Sequence, residues 1–208
     1  MLDEYRRAER EVENKIKTMY LEIKEKESKD KLLVSDLYKY NKYYDVMNTL
    51  NQRIIELGGS ETGILENSML QLYKANNRIL SNEFHIPVFS DDRAIKAINT
   101  IWCQKNKGTE GGGLLWSKRI WGHCSELVDK VEQGMLRCVT EGASSKELAQ
   151  EIRDCFGIEY KNAVRLARTE CAHIQSVAAC DSYIEAGYKY VKVLTKGDMA
   201  CSICQEAA

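Results

Sequence analysis

A single proline, Pro87, occurs among the 208 residues of this chain, and that scarcity constrains its fold more than any other feature. Proline inside a helix removes a backbone hydrogen bond and clashes with the preceding turn, so a chain almost without it can form long helices. Apolar residues make up 44% of the sequence, which is enough for a buried core. The sequence therefore predicts a mainly α protein with its principal break at Pro87.

The N-terminal part of the chain predicts a helical arm over residues 1–86. Apolar residues recur at three- and four-residue steps through residues 2–25, a coiled-coil-like seam that needs a partner helix to be stable. A second helix is expected after a cap at Ser35, with Gly58 and Gly59 as its end, and a third helix follows. The arm is thus predicted to be three antiparallel helices.

The rest of the chain, residues 87–208, predicts a second domain that begins with a helix capped by Ser90. A stripe at four- and three-residue steps runs from Trp116 to Cys138 and predicts a second helix. Gly134 lies inside that stripe. Since a glycine weakens a helix interior by about 1 kcal/mol, another backbone is expected to pack closely there.

The domain is predicted to end in two more helices and a small β element. A helix from residue 145 to Phe156 is expected to stop at Gly157, and a longer one to span residues 159–186. The segment YKYVKVLT, residues 188–195, alternates β-branched and polar residues and predicts a strand. The fold class is therefore an N-terminal helical arm plus a helical domain with a small β/CxxC element at its end.

The charge balance argues against a dominant role in binding nucleic acid, because 30 basic residues are matched by 31 acidic ones and no segment is strongly cationic. DNA contact is possible but not indicated by charge. The N-terminus is charged from its third residue, unlike a signal peptide, and no run of 18 or more apolar residues occurs. No contact with a membrane is therefore expected.

Eight cysteines occur, and six of them fall within helical patterns, where small buried apolar roles are expected. The other two, Cys201 and Cys204, form a C-x-x-C that has the spacing of half a zinc site. No His or Cys partner follows at ligand spacing, so zinc is expected only if further chain completes the site. A thiol-redox role would require a helix after the first cysteine, and a zinc deaminase would require an H-x-E, which is absent.

The sequence RTE, Arg168 to Glu170, lies in the last long helix. If Ala167 and Cys171 belong to the inward stripe, Arg168 and Glu170 fall on its two opposite borders. Charged groups at the edge of a core are usually paired with neighbouring helices. Arg119, on the border of the Trp116 stripe, is the predicted partner of Glu170, and the role of both is predicted to be structural.

Several of these segments together resemble one family. In chain order they are WSKRIW at 116–121, VRLARTE at 164–170, EAGYKYVKV at 185–193 and GDMACSIC at 197–204. This set resembles the phage Mu protein F-like domain of minor head proteins in tailed phages. The resemblance covers residues 87–208 and marks Trp116, Arg119, Arg168, Thr169 and Glu170 as structural motif residues. Family members usually continue past the CxxC with a downstream His/Cys cluster, so the domain is expected to be incomplete here.

The resemblance implies a structural component of the phage head and no enzyme activity. It implies a virion protein, assembled in the host bacterial cytoplasm, that acts at the portal vertex in head morphogenesis, DNA packaging or genome delivery. Its partners would be the portal protein and other capsid or scaffold proteins. The alternative is a zinc- or thiol-dependent nucleic-acid-processing or redox enzyme built around Cys201 and Cys204. A plain helical adaptor that self-associates through its N-terminal seam is a third possibility.

Overall fold

A computed structural model describes residues 1–27, 41–101, 114–141 and 145–190 of the chain. Within these ranges the chain forms five helices, which confirms the mainly α class. They are α1 (Leu2–Glu27), α2 (Lys42–Phe84), α3 (Asp91–Ile98), α4 (Trp116–Thr140) and α5 (Ser145–Glu185). None of them is long and apolar enough to cross a membrane.

The two longest helices, α2 and α5, organise the fold, since each packs against every other described helix. Each has about 40 residues and would span roughly 60 Å if straight. The buried apolar residues of all five helices form one continuous cluster. Helix α2 ends at Phe84, two residues before the predicted division at residue 86, and residues on both sides of that division contribute to the same core.

The α1 seam behaves as its spacing predicts. Tyr5, Val12, Ile16 and Met19 are all less than 5% exposed and pack into the shared core. Residues of α1 also form ion pairs with two other helices: Glu11 with Arg53 of α2, Glu22 with Lys42 of α2 and Glu13 with Arg153 of α5. The partner of the seam is thus within the same chain.

The predicted helix end at Gly58 and Gly59 is wrong, because α2 continues through both glycines. A Cβ atom at Gly58 would lie 2.9 Å from Sγ of Cys124 and 2.9 Å from a ring carbon of Trp121, whereas one at Gly59 would meet nothing within 4 Å. Gly58 therefore permits α4 to approach α2 closely. Consequently the second and third helices expected in the arm form one helix, α2, over its described residues, and the predicted cap at Ser35 lies outside the described part of the chain.

The predicted helix end at Gly157 is also wrong, since α5 runs from Ser145 to Glu185 without interruption. Gly157 is exposed, and a Cβ there would meet nothing within 4 Å. Flanking residues supply enough packing to keep the helix intact: Phe156 and Glu159 are each only 1% exposed. Packing of an amphipathic face contributes more than the roughly 1 kcal/mol that one glycine costs.

The close approach predicted at Gly134 is present, but a side chain makes it. A Cβ on Gly134 would lie 2.7 Å from Cγ of Glu151 in α5, and Glu151 also pairs with Arg137 of α4. The buried stripe of α4 follows the prediction otherwise, with Trp116, Ile120 and Leu127 all at most 4% exposed.

The predicted turn around Pro87 is confirmed. Helix α2 ends at Phe84, His85 adopts a left-handed conformation with φ of 56°, and Ser90 caps α3 by accepting a hydrogen bond from the backbone of Arg93. Two buried side chains of α2 fasten the turn: the Asn77 carbonyl oxygen accepts from the Phe89 backbone at 2.8 Å, and Ser81 donates to the Pro87 carbonyl at 3.3 Å.

At the other end of the fold, Gly187 ends α5 with φ of 87°, as its position predicts. Residues 188–190 follow the helix without forming a strand. Residues 191–208 lie outside the described residues, so the rest of the strand at 188–195 and the CxxC element stay predictions.

Candidate functional site

The interface of α4 and α5 holds two of the charged motif residues singled out in the sequence, Arg119 and Glu170. Arg119 of α4 donates a hydrogen bond through Nη1 to Oε1 of Glu170 in α5 at 2.6 Å, which confirms the predicted partnership. The Glu170 side chain is only 4% exposed, and Arg119 is 31% exposed. A short charge-assisted bond of this kind is among the stronger polar contacts in proteins.

The position of Glu170 differs from the prediction. The buried face of α5 in this region consists of Ala163, Leu166, Glu170, Ile174 and Ala178. Glu170 therefore lies in the middle of the inward face, and not on its border. The buried positions are one residue earlier than expected as far as Glu170, whereas Ile174 and Ala178 are buried as predicted. The physical role assigned to the pair is unchanged: Arg119 compensates a carboxylate that the helix buries.

A second ion pair repeats this arrangement further along the same interface. Lys130 of α4 bonds to Glu159 of α5, which is 1% exposed, and Asn162 donates to the other oxygen of the same carboxylate at 3.1 Å. Both buried acids of α5 between Cys155 and Cys180 are thus held by cations from α4. The sequence interpretation missed Glu159, although it stands eleven residues, or about three turns, before Glu170 on the same helix face.

Trp116 fixes the start of α4. Its ring is 4% exposed, and its Nε1 donates to the backbone carbonyl of Ile98 at 3.1 Å. That bond satisfies the indole N–H inside the core and joins α4 to the end of α3. Trp116 lies one turn before Arg119, so the two motif residues connect α4 to two different helices.

Arg168 and Thr169 are not part of this interface. Both are exposed on the opposite side of α5, and the Thr169 hydroxyl donates only to the backbone carbonyl of Arg165, at 2.9 Å. The RTE sequence is therefore divided between two environments, with Glu170 buried and Arg168 facing outward.

The outward side of α5 carries three cations at steps of four and three residues: Lys161, Arg165 and Arg168. All are exposed, and none forms an ion pair within the part of the chain that the structure describes. They border an open surface cavity of about 450 Å³, lined by Tyr160, Lys161, Val164, Arg165, Arg168 and Thr169. We call these six residues the outer α5 face.

A third buried acid, Glu61 of α2, lies where α1, α2, α4 and α5 meet. It is 2% exposed and accepts a hydrogen bond from the Tyr5 hydroxyl at 3.0 Å, while its other carboxylate oxygen is buried without a hydrogen-bond partner. Burial raises the pKa of Glu61, and the nearby Glu159 carboxylate raises it further. A carboxyl in this setting favours its neutral form.

Two buried thiols of the core have a raised pKa, which disfavours the nucleophilic thiolate form. Burial, with Glu61 and Glu159 close by, raises the pKa of Cys124 to about 12. Cys155 is also buried with a raised pKa, whereas Cys171 is half-buried and Cys180 is exposed. The buried role predicted for the helical cysteines thus holds for Cys124 and Cys155 and is wrong for Cys180, while Cys103 and the side chain of Cys138 lie outside what the structure describes.

The metal prediction rests on residues that the structure does not describe, since Cys201 and Cys204 lie beyond residue 190. Across the four described ranges, no group of three or more His, Cys, Asp or Glu side chains is placed to hold a metal ion. The half zinc site therefore stays a prediction.

Comparison with known proteins gives one partial similarity. Over 74 residues the chain is 36% identical to an NAD(+)–arginine ADP-ribosyltransferase, EFV, of Enterococcus faecalis. The matched stretch is 36% of this chain but only 15% of the length of that enzyme. No family model matches the chain, and no solved structure matches it.

Proposed function

We propose that this chain is a structural minor head protein of a tailed phage or prophage, acting at the portal vertex in head morphogenesis, DNA packaging or genome delivery. The main support is the order of four motif segments, from WSKRIW to GDMACSIC, that resemble the Mu F-like domain. The protein would reside in the virion, after assembly in the host cytoplasm.

The single structural observation that favours this function is the Arg119–Glu170 pair. Arg119 comes from WSKRIW and Glu170 from VRLARTE, two motif segments about 50 residues apart, and the pair joins them across the α4–α5 interface. Charged residues used in this way hold helices in register and are not available for chemistry. Two motif segments that are joined by such a pair suit a structural module.

The proposal is tested with the purified chain and the portal protein of the phage or prophage that encodes it. We expect the full chain to co-sediment with assembled portal rings. Variants that keep the fold but lose portal binding would identify the surface that contacts the portal. Absence of binding to both portal rings and capsids, with the helical fold intact, would contradict the proposal.

Arginine ADP-ribosyl transfer is a second candidate, because the curated relative that the chain partly matches has that printed activity. The described structure favours it less. The two buried glutamates of α5 are each engaged by a cation from α4 and covered by the core, so neither could orient or activate a substrate. Incubation of the purified chain with labelled NAD(+) and an arginine-containing acceptor separates the candidates: transferred label would favour the enzyme.

The zinc- or thiol-dependent enzyme remains the alternative that depends on Cys201 and Cys204. It requires a bound zinc ion or a thiol whose pKa is well below about 8.5. Metal quantification and thiol titration on the purified chain test it directly. Stoichiometric zinc that is lost in a Cys201→Ser variant would support a metal site, whereas no zinc and ordinary thiol reactivity would eliminate this alternative.

A further inference from the structure

The outer α5 face has an excess of positive charge that the fold itself does not use. Between Cys155 and Cys180, α5 contains two acids and three cations, apart from His173. Both acids are buried and bonded to cations of α4, so neither can neutralise the outward side. Lys161, Arg165 and Arg168 therefore stand together with no exposed acid of α5 among them.

The spacing of these cations matches the repeat of another helix. Steps of four and three residues place their Cα atoms about 6 and 4.5 Å apart along the axis of α5. A second helix packed alongside would present carboxylates at the same intervals if acids recur every three and four residues. Such a ladder would form charge-assisted bonds to two guanidinium groups and one ammonium group.

The apolar residues of the same face favour a protein over a nucleic acid. Tyr160 and Val164 are half-buried in the cavity between the cations, and Ile158 is 50% exposed one turn away. Protein interfaces are enriched in Tyr and Arg, and apolar groups gain free energy there by leaving water. Nucleic-acid interfaces are far more cationic than a face with three charges on a chain of net charge −1.

Tyr160 would be a firm anchor for such a partner. Its ring packs edge-to-face on Tyr5 of α1, with ring centroids 5.6 Å apart, so its position is fixed by the core. A rigid aromatic side chain loses little conformational freedom on binding, which raises its contribution to an interface.

We propose that the outer α5 face is a docking surface for an acidic amphipathic helix of a protein partner. The acids of that helix would pair with Lys161, Arg165 and Arg168, and its apolar residues would fill the cavity at Tyr160 and Val164. The identification of this partner as the portal protein rests on the proposed function. The docking surface itself rests on the charge and the shape of the face.

The first experiment is independent of the portal. Fluorescence anisotropy is measured for the full chain with a helical, alanine-based peptide of about 18 residues that carries glutamates at steps of three and four together with leucines on one flank. A matched peptide carries glutamines instead. We expect the glutamate peptide to bind about tenfold more tightly, since it can form three ion pairs that the glutamine peptide cannot.

Two variants with equal net charge locate the binding. The first, Lys161→Glu with Arg165→Glu and Arg168→Glu, should lose the tenfold preference. The control reverses three exposed cations on other helices that form no ion pair in the described structure, Lys15, Arg78 and Lys96, and should keep the preference. Equal thermal unfolding of the two variants shows that both are folded. Equal affinity for both peptides, or a preference that survives the first triple variant, overturns the proposal.

Two further measurements distinguish the other outcomes. Duplex DNA that binds more tightly than the glutamate peptide and is released by the first triple variant would reassign the face to nucleic acid and overturn the proposal. Portal rings are tested with the same three proteins. Binding of the wild type and the control variant, but not of the first triple variant, would support the portal as the partner. Binding of all three would overturn the outer α5 face as the docking surface. If even the wild type fails to bind portal rings, the proposed function fails, while the peptide experiment still decides the docking surface.

Discussion

The two faces of α5 carry charge in opposite ways. On the inner face, Glu159 and Glu170 are almost completely buried, and each is bonded to a cation of α4. On the outer face, Lys161, Arg165 and Arg168 are exposed and have no acidic partner within the described ranges. Charged residues of the same helix thus serve the fold on one side and remain available to a partner on the other.

Burial decides whether a charged side chain contributes to stability or to binding. An exposed cation is hydrated, so its removal changes stability little. A buried carboxylate has lost its water, and the cation that compensates it becomes necessary to the fold. Variants on the two faces should therefore have separable effects, the inner ones on stability and the outer ones on binding.

The largest effect is expected at the inner face. Arg119→Ala removes the cation bonded to the buried Glu170 carboxylate, and we expect the free energy of unfolding to fall by about 3 kcal/mol in chemical denaturation. Glu170→Ala should destabilise the fold as well, because it leaves a cavity and a half-buried guanidinium without this acceptor. Arg168→Ala, on the outer face, is the matched control and should change stability by less than about 0.5 kcal/mol. An unchanged melting temperature for Glu170→Ala would refute the structural role of the pair.

The next effect concerns the close contact of α2 and α4. Gly58→Ala would place a methyl group 2.9 Å from both Cys124 and Trp121, so overpacking should cost about 1–3 kcal/mol despite the better helix propensity of alanine. Gly59→Ala meets nothing within 4 Å and should stabilise α2 by about 0.5–1 kcal/mol. Thermal unfolding of the two variants gives the comparison. Equal shifts of the same sign would mean that α4 does not approach α2 at Gly58.

A smaller, pH-dependent effect is expected from Glu61, the buried acid that has a tyrosine partner in place of a cation. The groups around it are Tyr5, the chain amino terminus, Cys124 of α4 and Glu159 of α5, whose carboxylate is bonded to Lys130 of α4. Because its pKa in the folded protein is raised above that of the unfolded chain, folding favours the protonated form. The contribution of Glu61 to stability is thus fully present below the unfolded pKa and is lost as pH rises through the folded pKa.

Glu61→Gln should abolish this pH-dependent contribution to stability, because glutamine keeps the shape of the side chain and the acceptor for Tyr5 but does not ionise. The free energy of unfolding, measured from about pH 4.5 upward, should fall for the wild type relative to the variant, and at neutral pH the variant should be at least as stable. Parallel pH curves for the two proteins would show that Glu61 ionises as readily when folded as when unfolded.

The smallest effect on stability is expected at the outer face. Replacement of Lys161, Arg165 and Arg168 together by alanine should change the melting temperature by no more than a few degrees, since each is a solvated surface residue. The same replacement should weaken binding of the glutamate peptide. Marked unfolding of this variant would show that the outer cations stabilise the fold, as the charges of the inner face do.

The sequence was informative where helical periodicity and pair chemistry agree. The stripes of α1 and α4, the turn at Pro87, the cap at Ser90 and the Arg119–Glu170 partnership all follow from spacing and from the need of a buried charge for a partner. Most of these features depend only on residues that are close in the sequence. The Arg119–Glu170 partnership depends on two helices whose apolar faces can both be recognised from the sequence.

The sequence was less informative where tertiary packing overrides a local signal. Glycine is common at helix ends, so Gly58 and Gly157 each predict that a helix stops there. Packing against other helices nevertheless keeps α2 and α5 continuous. The false end at Gly58 also hid Glu61, which continues the buried series Ile54, Leu57, Leu65 and Met69 at helical steps. The outer α5 face could have been recognised from three cations at helical spacing, had the buried acids between them been identified first.

The most direct test of the account is whether the chain is part of the assembled phage head. Heads are purified from a culture in which the phage or prophage that encodes the chain has been induced, and the chain is quantified against the portal protein by mass spectrometry. We expect the chain to be retained in the head fraction in a fixed ratio to the portal, and the triple glutamate variant of the outer α5 face to be depleted from it. Heads that assemble with the wild-type chain present only in the unbound fraction would contradict the account.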